Sequence, residues 1–125
     1  MVASNEDIRS TVRQYLDLVA TGTAVEIVAL FAEDATLEDP VGSDVLRGTE
    51  ALRGFYAGLE GLTITTSLVT LRACAGQAAF HFEIVTEAGG MEYRMAPLEV
   101  MTFDDAGKIL SMRAFWSDED LVVET

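Results

Sequence analysis

One cysteine, one histidine and eight basic residues stand among 125 amino acids, and each shortage closes off a class of chemistry. Cys74 has no partner for an internal disulfide. It lies between Ala73 and Ala75 with no ligand spacing around it, so it reads as a small buried side chain rather than a nucleophile or metal ligand. His81 sits among Phe80, Phe82 and Ile84 without a second ligand in range, which makes a structural role the simpler reading; no metal is expected. No run of about 18 apolar residues is available to cross a bilayer. The first residues, Met1 to Asp7, lack the basic and apolar regions of a signal peptide, so the expected location is cytoplasmic. Eight bases against 21 acids leave a net charge of -13, which repels phosphate backbones and anionic lipid surfaces. Nucleic acid and membranes are therefore not expected partners. A neutral ligand suffers no such repulsion, and an anionic one needs a basic patch; only Arg94 and Arg113 fall near the strands able to form a cavity. The balance points to a small, uncharged, apolar ligand.

Half of the residues are hydrophobic, enough to pack the core of one domain spanning 1–125. Ser4 and Asp7 form a polar cap for a first helix in which Ile8, Val12, Tyr15, Leu16 and Val19 share one face, so Tyr15 points into the core. Gly22 stops it. Thr23-Ala24-Val25-Glu26 is a capping-box pattern for a second helix expected to carry Ile27, Leu30 and Phe31. A third helix is expected over 49–59, with Leu52, Phe55, Tyr56 and Leu59 on one side. From Thr63 the period changes to strands: 63–73, 78–87, 91–103 and 108–115, punctuated at Gly76 and at Asp104-Asp105-Ala106-Gly107. Helices followed by a meander predict an α+β fold with its sheet covered on one face.

Two acids stand out against this pattern. In Ala35-Thr36-Leu37-Glu38-Asp39, alternation puts Asp39 on the inward side with Ala35 and Leu37, and leaves Glu38 to solvent. Pro40 holds Asp39 extended and Pro-Val-Gly ends the strand, so the carboxylate lies at the mouth of any cavity the sheet encloses. Asp before Pro-x-Gly is also common turn punctuation, and on this stretch alone a turn is the simpler reading. In the strand over 91–103, Met95, Pro97, Glu99, Met101 and Phe103 share a side, and the opposite set Ala96, Leu98, Val100 and Thr102 is no more polar; the strand reads as buried on both faces, with Pro97 marking an edge or bulge. Glu99 must then be neutral and hydrogen-bonding, or paired with a distant arginine. An inward tyrosine, an inward aspartate and an acid in apolar surroundings are what enolisation needs: a carboxylate base near a carbon, and donors opposite it aimed at the oxygen that gains charge. None of this demands a metal or organic cofactor.

The segments Arg13-Gln14-Tyr15, Ile27-Val28-Ala29-Leu30-Phe31-Ala32, Asp34-Ala35-Thr36, Glu38-Asp39-Pro40-Val41-Gly42-Ser43, Phe55-Tyr56-Ala57, Ala96-Pro97, Ala106-Gly107-Lys108 and Ser111-Met112-Arg113-Ala114 resemble, in colinear order, the bacterial Δ5-3-ketosteroid isomerases. The resemblance implies a cone-shaped, curved antiparallel sheet packed on N-terminal helices, the nuclear transport factor 2-like roll, and a homodimer. It implies that Asp39 shuttles the proton, and that Tyr15 and Glu99 form the oxyanion hole; a neutral carboxylic acid donating there is this family's known device, although its members carry aspartate where this chain has Glu99. It further implies that the Tyr56 hydroxyl supports Tyr15, that Phe31 replaces a tyrosine found in some members, and that Trp116 lines the pocket near the base. Phe55, Phe82, Ile84, Met101 and Met112 complete the expected apolar wall, with core packing as the alternative role for each. The implied reaction converts 3-oxo-Δ5 steroids to 3-oxo-Δ4 steroids by C4-to-C6 proton transfer. The rivals are a polyketide cyclase, an epoxide hydrolase using Asp39, Glu99 and Arg113, or a non-catalytic binder.

Overall fold

The computed structural model describes all 125 residues. Helix α1 spans Asn5–Thr21, and Ser4 caps it by accepting from the Asp7 amide. Its buried residues are Ile8, Val12, Tyr15, Leu16 and Val19, the stripe expected from their spacing. After Gly22, Thr23 and Glu26 close a capping box on α2, a device worth about 1 kcal/mol. Helix α2 is short, Ala24–Val28, so Leu30 and Phe31 do not belong to it as expected. The Leu30 carbonyl instead accepts from the Ile109 amide, and Phe31 opens strand β1, Phe31–Glu38. Pairing with a strand nearly 80 residues away overrides local helix propensity there. Strand β2, Leu46–Arg47, leads into α3, Thr49–Ala57, which buries Leu52 and Tyr56.

The remaining chain is sheet: β3 Thr63–Cys74, β4 Gln77–Ala88, β5 Met91–Met95, β6 Leu98–Phe103, β7 Ile109–Phe115 and β8 Val122–Glu124. The order is β2-β1-β7-β6-β4-β5-β8, with β3 on the other edge of β4. The expected meander is present within it, but β2 and β8 were not legible, and β1 joins β7 in parallel rather than antiparallel. At the β3–β4 turn, Ala75 at φ 50° and Gly76 at φ 74° supply the two left-handed residues that a tight hairpin needs. Cys74, expected to be buried, is exposed because it is the last rung before that turn and alternation sends Ala73 inward instead.

The expected strand over 91–103 breaks at Ala96-Pro97 into β5 and β6, and both pieces pair with β4. Proline offers no amide to the ladder, and the break lets the sheet bend. The strand is buried on one side only: Glu99 is 4% exposed, whereas Leu98 on the opposite face is 55% exposed. The inner face of the sheet and the three helices enclose one apolar core that includes Ile27, Leu37, Leu52, Phe80, Met101 and Ile109. No helix is long and apolar enough to cross a membrane.

Candidate active site

Asp39 follows directly on β1, where Glu38 pairs in register with Arg113 of β7, and the Val41 amide donating to the Ala114 carbonyl at 2.8 Å ties the turn to that strand. This docking turns the Asp39 side chain toward the interior. The indole Nε1 of Trp116, just beyond β7, donates to Asp39 Oδ1 at 2.7 Å. Burial pushes the Asp39 carboxyl above its ordinary range, and the indole hydrogen bond draws it partly back. Glu38, expected to be merely solvated, accepts from Arg113 Nε at 3.0 Å and from the Gly42 amide at 3.0 Å. The amide first and the guanidinium second hold its carboxyl below the usual range.

Glu99 lies on β6 between Phe80 of β4 and Ala114 of β7. It is the only buried charged-type residue of the chain, and its Oε1 has no hydrogen-bond partner. The arginine alternative is not realised: Arg94 pairs with Glu92 and Glu124, and Arg113 with Glu38. Desolvation, with the nearby Asp39 charge in second place, holds the Glu99 carboxyl well above the usual carboxylate range and so favours its neutral form. The buried Oε1 without a partner is open to a hydrogen bond with a ligand oxygen.

Tyr15 reaches the same space from α1, and its hydroxyl lies 2.7 Å from that of Tyr56 on α3. Desolvation raises both phenols well above their ordinary value, with Tyr56 and Glu99 adding to the effect on Tyr15, so both remain protonated. The Phe31 ring sits 6.2 Å from Tyr15 and 6.0 Å from Tyr56 without a hydroxyl of its own. The hydroxyl chain therefore ends at Tyr56.

These groups converge on a cavity of about 250 Å³ lined by 15 residues, 11 of them hydrophobic. Tyr15, Asp39, Glu99, Tyr56, Phe55, Phe82, Ile84 and Trp116 all line it. Met101 and Met112 do not; they are 0% and 1% exposed and belong to the core beneath the floor. Both share the inward side with Glu99 or Asp39, but alternation fixes a face and says nothing of depth along it. Val19, Leu59, Thr86, Tyr93, Met95, Pro97 and Leu121 line the cavity beyond the expected set. The same alternation, continued from Glu99 back to Tyr93 and from Ile84 on to Thr86, contained the signal for most of them; Leu121, in an irregular segment, carried none. His81 lies outside the lining, and no group of three or more His, Cys, Asp or Glu comes together to hold a metal. Chemically, the cavity brings together an ionisable carboxyl at Asp39, the Tyr15 phenol and a Glu99 carboxyl whose neutral form burial favours, in apolar surroundings.

Residues 12–112 match the SnoaL-like domain family. The chain belongs to that family. Among curated proteins, a steroid Δ-isomerase of Nocardioides simplex is 50% identical over 117 residues, covering 94% of this chain and 95% of that protein. Among solved structures, SalBIII, an epoxide hydrolase/cyclase-like enzyme with a role in pyran ring formation in the polyether salinomycin, superposes with a TM-score of 0.88 at 29% identity. That match covers 95% of this chain and 97% of SalBIII. The SnoaL-like assignment agrees with the helices-on-curved-sheet architecture and with the nuclear transport factor 2-like roll expected from the sequence.

Proposed function

We propose that this chain is a steroid Δ-isomerase, converting 3-oxo-Δ5 steroids to their conjugated 3-oxo-Δ4 isomers as one domain over residues 1–125. Asp39 is the general base: it takes a proton from C4, the electrons flow onto the C3 oxygen, and a dienolate forms. The protonated carboxyl then returns the proton to C6, and the double bond moves from C5–C6 to C4–C5. Tyr15 and neutral Glu99 donate to the developing oxyanion, and Tyr56 donates to Tyr15 so that the Tyr15 hydrogen is free for substrate. Phe55, Phe82, Ile84 and Trp116 hold the flat rings and exclude water, which strengthens both donor interactions.

The observation that carries this reading is the partnerless, buried carboxyl of Glu99, which shares a cavity with the base Asp39 and the donor Tyr15. An epoxide hydrolase built on Asp39, Glu99 and Arg113 lacks its arginine, because Arg113 is engaged with Glu38 and does not line the cavity. Mixing the protein with a Δ5-3-ketosteroid and recording the ultraviolet absorbance of the conjugated enone tests the activity; steroid binding without enone formation favours a non-catalytic binder.

The reaction belongs to lipid metabolism. The free, exposed thiol of Cys74 suits a reducing, cytoplasmic setting. Leu98 and Phe115, cross-strand partners that are 55% and 40% exposed on the outer face of the sheet, support a homodimer through that face. Sedimentation of the parent and of Leu98→Glu tests it: a monomeric parent refutes the dimer.

A further inference from the structure

Of the three catalytic groups, only Asp39 is carried by neither helix nor strand: Tyr15 lies on α1 and Glu99 on β6, whereas β1 ends at Glu38. A base on a turn needs that turn fixed, because a misplacement near 1 Å costs roughly 10²-fold in rate. The side chain that brackets the turn is that of Glu38, which points away from Asp39 and lies outside the cavity lining.

Both of its carboxylate oxygens are engaged. Oε2 accepts from the Gly42 amide at 3.0 Å, spanning the turn from end to end, and Oε1 accepts from Arg113 Nε at 3.0 Å on β7. Gly42 stands at φ 102°, a backbone conformation that favours glycine, so the far end of the turn is shaped to present that amide. The Arg113 guanidinium lies over the Phe115 ring at 5.2 Å, which steadies the donor. Strand β7 and the residue after it thereby grip the turn at three points: Arg113 holds Glu38, the Ala114 carbonyl takes the Val41 amide, and Trp116 donates to Asp39. The Glu38 and Arg113 side chains are 19% and 50% exposed, and an ion pair this wet adds little to global stability. What it can set is the position of the turn.

We propose that Glu38 is a positioning residue: its carboxylate clamps the turn after β1 to Arg113 and so sets where the Asp39 carboxylate meets the substrate. The role rests on the isomerase reading, and one probe of it is independent of turnover. Trp116 is the single tryptophan, so its indole N–H, bonded to Asp39, gives a lone indole signal in a proton–nitrogen NMR spectrum. Glu38→Gln keeps shape and an acceptor for the Gly42 amide but loses the charge that Arg113 pairs with; Glu38→Ala loses both bonds. For a Δ5-3-ketosteroid, kcat should fall roughly 10-fold in Glu38→Gln and roughly 10²-fold in Glu38→Ala, with affinity for the 3-oxo-Δ4 product within about 2-fold of the parent, because the cavity wall is untouched. Arg113→Met breaks the same ion pair from the other side, so it should match Glu38→Gln, and the two together should lose no more than either alone. The indole signal should move in Glu38→Ala toward its place in Asp39→Ala. Parental kcat in Glu38→Ala, product affinity falling in step with kcat, additive losses in the pair, or an unmoved indole signal overturns the clamp. Displacement of the indole signal by Glu38→Ala in a protein whose parent forms no enone supports the clamp and overturns the isomerase activity instead.

Discussion

The indole nitrogen of Trp116 donates to Oδ1 of Asp39 at 2.7 Å, across 77 residues of sequence. That bond stabilises the ionised carboxylate and leaves its other oxygen free to face the cavity. Trp116 is thus a positioning residue for the base, acting through Asp39 as well as through ring contact. Trp116→Phe should raise the Asp39 pKa further, because the one interaction lowering it is gone while burial remains. The acid limb of kcat/KM should move to higher pH. An unmoved limb assigns Trp116 to packing alone.

Asp39→Asn retains shape and polarity but accepts no proton. Turnover of a Δ5-3-ketosteroid should fall by at least roughly 10²- to 10⁴-fold, while binding of the conjugated product persists or tightens as the carboxylate charge is removed. Near-parental kcat in this variant refutes the proton-transfer role.

Tyr15→Phe deletes one donor to the oxyanion and keeps the ring contacts with Phe31 and Tyr56. Loss of roughly 10²- to 10³-fold in kcat is expected, with a stability cost of about 1–3 kcal/mol because the buried Tyr56 hydroxyl loses its partner. Tyr56→Phe, one step removed from substrate, should cost less. The two together separate donation from support: equal losses would mean that Tyr56 touches the oxyanion itself.

Glu99 makes stability depend on pH in a definite direction. Burial favours the neutral carboxyl in the folded chain, while the unfolded chain ionises it above about pH 4.3. The unfolded state then carries fewer protons, so this contribution is fully present below about pH 4.3 and is lost as pH rises toward the raised folded value. Glu99→Gln removes it. The stability difference, variant minus parent, should therefore grow from pH 5 to pH 8, with a slope of at most about 1.4 kcal/mol per unit, read from denaturant midpoints. A pH-independent difference would mean that Glu99 is ionised in the fold.

Glu99 also exceeds the familiar aspartate by one methylene, and its length is testable by activity. Glu99→Gln should retain more kcat than Glu99→Ala, which leaves no donor, and Glu99→Asp should fall between Ala and parent if the strand sets the carboxyl position for glutamate. Since a misplacement near 1 Å costs roughly 10²-fold, these variants should spread over at least that range. Parental kcat in Glu99→Ala would remove Glu99 from the oxyanion hole.

Local periodicity carried much of this site. The helical stripe from Ile8 to Val19 placed Tyr15 inward, two-residue alternation placed Asp39 and Glu99 inward, and the structure brings all three to one cavity. Those inferences succeed because which face a side chain occupies is decided by backbone geometry within a few residues. The order of neighbours along the chain did not reveal depth: Met101 and Met112 share an inward side with residues that reach the cavity, yet lie in the core. The end of α2, the start of β1 and the exposure of Leu98 also went against local pattern, each through a partner or its absence far along the chain.

The sequence by itself determined the helices, the meander, the inward faces and the residue types able to run an enolisation, because these follow from short-range periodicity, capping and turn chemistry. Tertiary structure alone decided that β1 lies parallel to β7, that Trp116 reaches Asp39, that Arg113 is drawn to Glu38 and away from Glu99, and that Thr86 faces the same space as Tyr93. Each of these is a meeting of side chains from separate elements, set by strand register and by the cost of leaving buried groups unpaired. Such terms exist only once the chain has closed on itself.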